Sequence, residues 1–176
     1  MKLIDTSRFQ FGVVPDDDPE FNPEEERRLL DELAALARAS LADQEWAPPI
    51  ADLLLAFGIG GMIGLYLVRF PFPATVRGVV RRDEMWLVVG DLPTICFTTD
   101  TSPTRAAALC SYCDIAEEWA AAVLEGGDLS GCYNMGVEPT EEHAIMLKRR
   151  TATIRNDFAR HVEDGSGFYM APGAAR

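Results

Sequence analysis

Histidine is nearly absent from this 176-residue chain, which has only His143 and His161. Neither stands in a motif that pairs it with a Ser, Cys or Asp, so nucleophilic catalysis has no support in the sequence. Positive charge is short as well: 16 Lys and Arg face 28 Asp and Glu, a formal net charge of −12. A polyanion of that strength repels phosphate backbones and anionic lipid, which argues against nucleic acid and membrane surfaces as partners. Cysteine is limited to Cys96, Cys110, Cys113 and Cys132, and Met1 to Asp5 lacks the basic-then-apolar layout of a secretory signal. Together these imply reduced thiols and a cytoplasmic location. No internal repeat, linker or low-complexity segment appears.

A membrane-length apolar run is missing too. The nearest approach is Leu53 to Val68, sixteen residues without charge that include a Gly60-x-x-x-Gly64 spacing. As a helix it spans only about 24 Å, short of the roughly 30 Å hydrocarbon core. Gly58, Gly60, Gly61 and Gly64 would each cost a helix about 1 kcal/mol. The expectation is a short helix over 50–57, a glycine turn, and a buried strand over 62–70. Gly58-Ile59-Gly60-Gly61 then follows a helix, and no G-K-[ST] completes a phosphate loop.

What is present belongs to an ordinary globular chain, 48% apolar and 25% charged, long enough for one domain with a proper core. Its centre is Met85 to Thr99. Two runs rich in β-branched and aromatic residues, Trp86–Val89 and Ile95–Thr98, flank Gly90-Asp91-Leu92-Pro93, which reads as a β-hairpin. Burying its six large apolar side chains contributes roughly 10–15 kcal/mol as an upper figure. Thr75 to Val80 is expected to add a further strand, with a charged turn over 81–84.

Three long helices frame this sheet. The first is capped by Asn22, opens on Pro23 with Glu24, Glu25 and Glu26, and carries a Leu29/Leu30/Leu33/Leu36/Ala37 stripe to about Ala42. The second is expected to start at a Ser102 cap with Pro103 and to end at Gly126-Gly127. The third follows a Thr140 cap and runs to about Glu163, with Ala144, Leu147, Ile154 and Phe158 inward. The fold class is therefore α+β, a central antiparallel sheet of three to five strands, including hairpin 85–99 in its middle, packed by three long helices. An extended arm over 1–21, with an edge strand expected over 9–14, precedes a single domain over 22–164. A flexible tail follows over 165–176.

Charge is unevenly spread. Residues 1–47 carry a net −7, residues 101–147 another −7, and residues 148–176 a net +3. The basic strip of the third helix, Lys148, Arg149, Arg150, Arg155 and Arg160, is expected to be compensated by the acidic helices; the rival role is an anion site.

The ligand-binding candidates are Asp91, at the hairpin tip, with Arg150 and Arg155. The simplest role for Asp91 is an Asx-type turn contact. Cys110 and Cys113, with Cys132 and His143, make a chemically acceptable zinc donor set. Metal knuckles, however, are turns, whereas Cys110 and Cys113 stand inside an amphipathic helix, where cysteines act as small core hydrophobes. They also lie about two turns from the helix start, too far for the dipole to activate a redox pair. His143 is expected at the surface and His161 near the inner face.

No cofactor is implied. The chain reads as a bacterial-type cytosolic protein that binds another protein without catalysis, an inhibitor, immunity-like or regulatory domain for a basic partner. The alternatives are a binding domain for an anionic small molecule or a small enzyme, with a pocket between sheet and helices, and a zinc-stabilised protein. A homodimer is compatible with each.

Overall fold

The computed structural model describes residues 22–76, 79–80, 82–160 and 162. The chain runs α1 (Pro23–Ala42), β1 (Asp52–Ile59), β2 (Ile63–Arg69), β3 (Thr75–Val76), β4 (Val79–Val80), β5 (Glu84–Gly90) and β6 (Ile95–Thr98). Then come α2 (Arg105–Leu124) and α3 (Glu141–Thr153), which continues as a π-helical turn, Ile154–Ala159. The expected strand over 9–14, the tail over 165–176 and His161 lie outside the described residues.

The fold is α+β, with an open antiparallel sheet in the order β1-β2-β5-β6. Alternation along the inner strands explains why it is layered. Ile63, Leu65 and Leu67 of β2, with Trp86 and Val88 of β5, pack in one buried cluster with Leu109, Tyr112, Ala116, Leu147 and Ile154. Tyr66, Val68, Met85, Leu87 and Val89 point the other way, into a second cluster with Leu33, Ala37 and Leu41 of α1. Both faces of the sheet are thus covered, α1 on one and α2 with α3 on the other. That is why β2 and β5 read as unbroken apolar runs; a half-solvated antiparallel strand would alternate.

Four expectations are corrected. Residues 50–57 form no helix: Asp52–Ile59 is strand β1, paired with β2 from Asp52↔Arg69 to Ile59↔Ile63. The uncharged stretch over 53–68 is therefore a hairpin. Its register shifts between Leu55 and Phe57, a bulge that turns both Ala56 and Phe57 toward the α2/α3 side. The turn glycines serve close approach. Gly60 N–H donates to Glu26 Oε1 at 2.7 Å, and a Cβ on Gly60 would lie 2.5 Å from Glu26 Oε2.

Second, the segment 75–80 is two short strands, β3 and β4, paired to each other outside the main sheet. Third, the hairpin 85–99 is not central as a whole. Strand β5 is internal, but β6 is an edge, where Tyr133 Oη both accepts from Cys96 N–H and donates to the Cys96 carbonyl at 3.2 Å. That contact occupies part of the edge's exposed backbone.

Fourth, the α2 cap is Thr104, whose hydroxyl accepts from Ala107 N–H at 3.1 Å. Ser102 is buried instead. Its hydroxyl pairs with that of Ser111 at 2.7 Å, and its carbonyl accepts from Trp86 Nε1–H at 2.8 Å. The first helix matches its expected bounds, with Asn22 Oδ1 accepting from the N–H groups of Glu24 and Glu25. Among the described residues, no helix is long and apolar enough to cross a membrane.

Candidate functional site at Asp91 and Arg150

Three elements converge at one end of the sheet. The β1–β2 turn brings Met62, the β5–β6 turn brings Asp91 and Leu92, and the end of α3 brings Arg150, Thr153, Ile154 and Phe158. With Ile63 they line a partly open cavity of about 230 Å³, mostly apolar inside with one charged pair at its rim.

Backbone chemistry fixes the first two elements against each other. Gly90 sits at φ +136°, a region side chains avoid, and Asp91 N–H donates to the Met62 carbonyl at 2.9 Å. Among the described residues the expected Asx-type contact does not form: the Asp91 carboxylate instead accepts from Arg150 Nη2 at 2.6 Å, across 59 residues of sequence. Asp91 is 70% exposed and Arg150 34%, so the pair is worth at most about 1 kcal/mol.

The third wall comes from a departure in α3. Thr151 Oγ–H donates to the Lys148 carbonyl and Thr153 Oγ–H to that of Arg149, both competing with the backbone ladder. Immediately afterwards the helix widens into the π turn, a conformation that is costly and often kept at functional sites. Ile154 is buried there, and Phe158 packs against Phe57 of the β1 bulge with ring centroids 5.5 Å apart.

Arg150 also lines a second, shallower concavity. A groove of about 920 Å³ runs along the outer side of α3, lined by Thr140, Glu141, Glu142, Ile145, Met146, Arg149 and Arg150. Ile145 is 38% exposed and Met146 41%. Met62, on the rim of the neighbouring cavity, is 48% exposed.

Of the expected ligand candidates, Asp91 and Arg150 meet here and Arg155 does not. Arg155 Nη2 donates to Asp114 Oδ1 at 2.9 Å and Glu117 Oε2 at 3.0 Å, tying the π turn to α2. Burial opposes the Arg155 charge, but the two hydrogen-bonded carboxylates outweigh it and raise its pKa. The basic strip is thus partly compensated from inside, by Asp91, Asp114 and Glu117.

The thiols and His143 do not assemble. Among the described residues, no group of three or more His, Cys, Asp or Glu is placed to hold a metal ion. Cys113 is buried in the core and its thiol donates to the Thr151 carbonyl at 3.5 Å. Burial pushes its pKa up to about 12. Cys110 and Cys132 are half-buried against the same apolar cluster. His143 is half-buried, not fully at the surface, and its Nδ1 is 2.8 Å from the Glu138 carbonyl. All four cysteines are free.

Met62, Thr153 and Phe158 were missed as site residues. Their convergence depends on β1 being a strand, and the stretch 50–57 hides that. No family model, curated protein or solved structure matches this chain.

Proposed function

We propose that the chain is a non-enzymatic binding module of the cytoplasm, whose acidic surface draws in a basic protein and whose α3 groove makes the contact. The observation that carries this reading is the groove's composition. Exposed Ile145 and Met146 lie between Glu141 and Glu142 on one side and Arg149 and Arg150 on the other. An apolar centre inside a charged rim is the anatomy of a protein interface. The net charge of −12 supplies long-range steering toward a positive partner, which speeds encounter more than it tightens binding.

Affinity capture with the purified chain at low and high salt tests this. A basic protein is retained at low salt, released as ionic strength rises, and lost on the double substitution Ile145→Asp/Met146→Asp. Retention of no basic protein, or capture indifferent to that substitution, refutes it.

A further inference from the structure

We infer that the cavity between the β1–β2 turn and the π turn of α3 binds a small monocarboxylate with a compact apolar tail, held by Arg150. Three observations meet on this point. The first is an incompletely used guanidinium. Among the described residues, the hydrogen bond recorded for Arg150 is the single one from Nη2 to Asp91, and Nη1 and Nε have no recorded partner. A guanidinium is a planar fork of five N–H donors suited to two parallel bonds with a carboxylate, so most of its capacity at this rim is unspent.

The second is the weakness of the internal partner. Asp91 stands mostly in water, so an incoming carboxylate displaces or shares it at little cost. The third is what lies behind the charge. Buried Ile63 and Ile154, with half-buried Leu92 and Phe158, form the walls, and Met62 sits on the rim. A space of about 230 Å³ corresponds to roughly seven or eight waters at about 30 Å³ each. That volume suits a tail the size of a phenyl ring or a branched alkyl group.

A phosphate ester is the poorer match. Its extra charge would face Asp91 and an apolar interior, and no second basic side chain lines the cavity among the described residues. One cation, one hydrophobic recess and a displaceable carboxylate fit one negative charge on an oily body. The ligand occupies the cavity and the partner the outer groove; the two share Arg150 at their common edge, but the apolar residues of each are different.

The test titrates the full chain with phenylacetate, phenylacetamide, acetate and inorganic phosphate, reading amide chemical shifts. Phenylacetate is expected to saturate, with shifts at Ile63, Ile154 and Phe158, while phenylacetamide and acetate bind at least about tenfold more weakly. Arg150→Gln should weaken phenylacetate at least about tenfold, and Arg150→Lys less than that. Asp91→Asn should tighten it by up to about fivefold, the factor equivalent to a surface ion pair. A purely structural Asp91–Arg150 pair would not move binding in opposite directions. A matching urea midpoint for each variant shows that the fold is intact. Ile145→Asp/Met146→Asp should leave phenylacetate binding unchanged, which separates this site from the groove. Equal binding of acetate or phosphate, shifts confined to the exposed face of α3, or no saturation at millimolar concentrations would overturn the inference.

Discussion

A Cβ on Gly90 would lie 2.2 Å from the carbonyl oxygen of Met62 and 3.0 Å from the Cα of Ile63. The obstruction is backbone, which cannot swing aside as a side-chain tip can. At φ +136° the residue is also in a region that only glycine enters without strain. Gly90→Ala should therefore destabilise the fold by about 2–4 kcal/mol, measured as a lower urea midpoint at unchanged m-value. Because Asp91 N–H is bonded to that same Met62 carbonyl, the variant should also widen the cavity. Faster hydrogen exchange at Asp91 would report it.

Trp86 carries the second prediction. It is fully buried, and its indole N–H donates to the Ser102 carbonyl at 2.8 Å, fastening the sheet to the approach of α2. Trp86→Phe removes the donor, leaves a buried acceptor unpaired and opens a void. The unpaired carbonyl alone costs about 1–3 kcal/mol and the lost packing adds to it. At about 2–4 °C per kcal/mol for a chain of this length, a loss of roughly 2–3 kcal/mol should lower the thermal unfolding midpoint by roughly 4–12 °C. Trp119→Phe, on α2, lacks any recorded indole hydrogen bond among the described residues and should cost less.

These two sites mark the boundary of what the chain discloses without coordinates. The hairpin around Gly90 was readable because turn formers separate two β-rich runs. The first and third helices were readable from Asn22 and Thr140, each a cap that the structure uses. The first strand was not. Leu53-Leu54-Leu55-Ala56-Phe57 has no period of two, because β1 carries a bulge and both sheet faces are covered. Leucine and alanine also favour helices intrinsically, and tertiary pairing with β2 overrides that preference. Ser102 and Thr104 are both good caps, and burial of Ser102 under Trp86 decides between them. For the site, the hairpin tip singles out Asp91 and the basic strip includes Arg150, but nothing local foretells the π turn or the arrival of Met62.

Arg155 should matter more to stability than Arg150. It reaches two carboxylates on α2, whereas Arg150 reaches one exposed carboxylate on a turn. Both are partly solvated, so the magnitudes are small. Arg155→Gln should cost about 1 kcal/mol and Arg150→Gln no more than about 0.5 kcal/mol. Both differences should shrink in 1 M salt, where screening is about three times shorter in range than at 0.1 M. Denaturant midpoints at the two salt concentrations measure this directly. An Arg155 effect that is unchanged by salt would mean that its aliphatic stem, and not its charge, holds the π turn to α2.

Burial of thiols makes the fold sensitive to alkali. Cys96 and Cys113 are both pushed from an ordinary value of 9.0 up to about 12, because the interior disfavours the thiolate. Tyr66 and Tyr112 are raised for the same reason. Below about pH 8 these groups are protonated in both states and add no pH dependence. Between about 8 and 12 the unfolded chain loses protons that the folded chain keeps, so the folded state binds more protons and stability falls as pH rises. Each thiol contributes a slope of up to about 1.4 kcal/mol per pH unit in that window. Unfolding midpoints in urea should therefore be level up to about pH 8, begin to fall there, and drop steeply beyond about pH 9. Cys96→Ala/Cys113→Ala should delay the drop to the pH at which unfolded tyrosines ionise, near 10. A stability profile that is flat to about pH 11 would show that these thiols are not held in the apolar surroundings seen here.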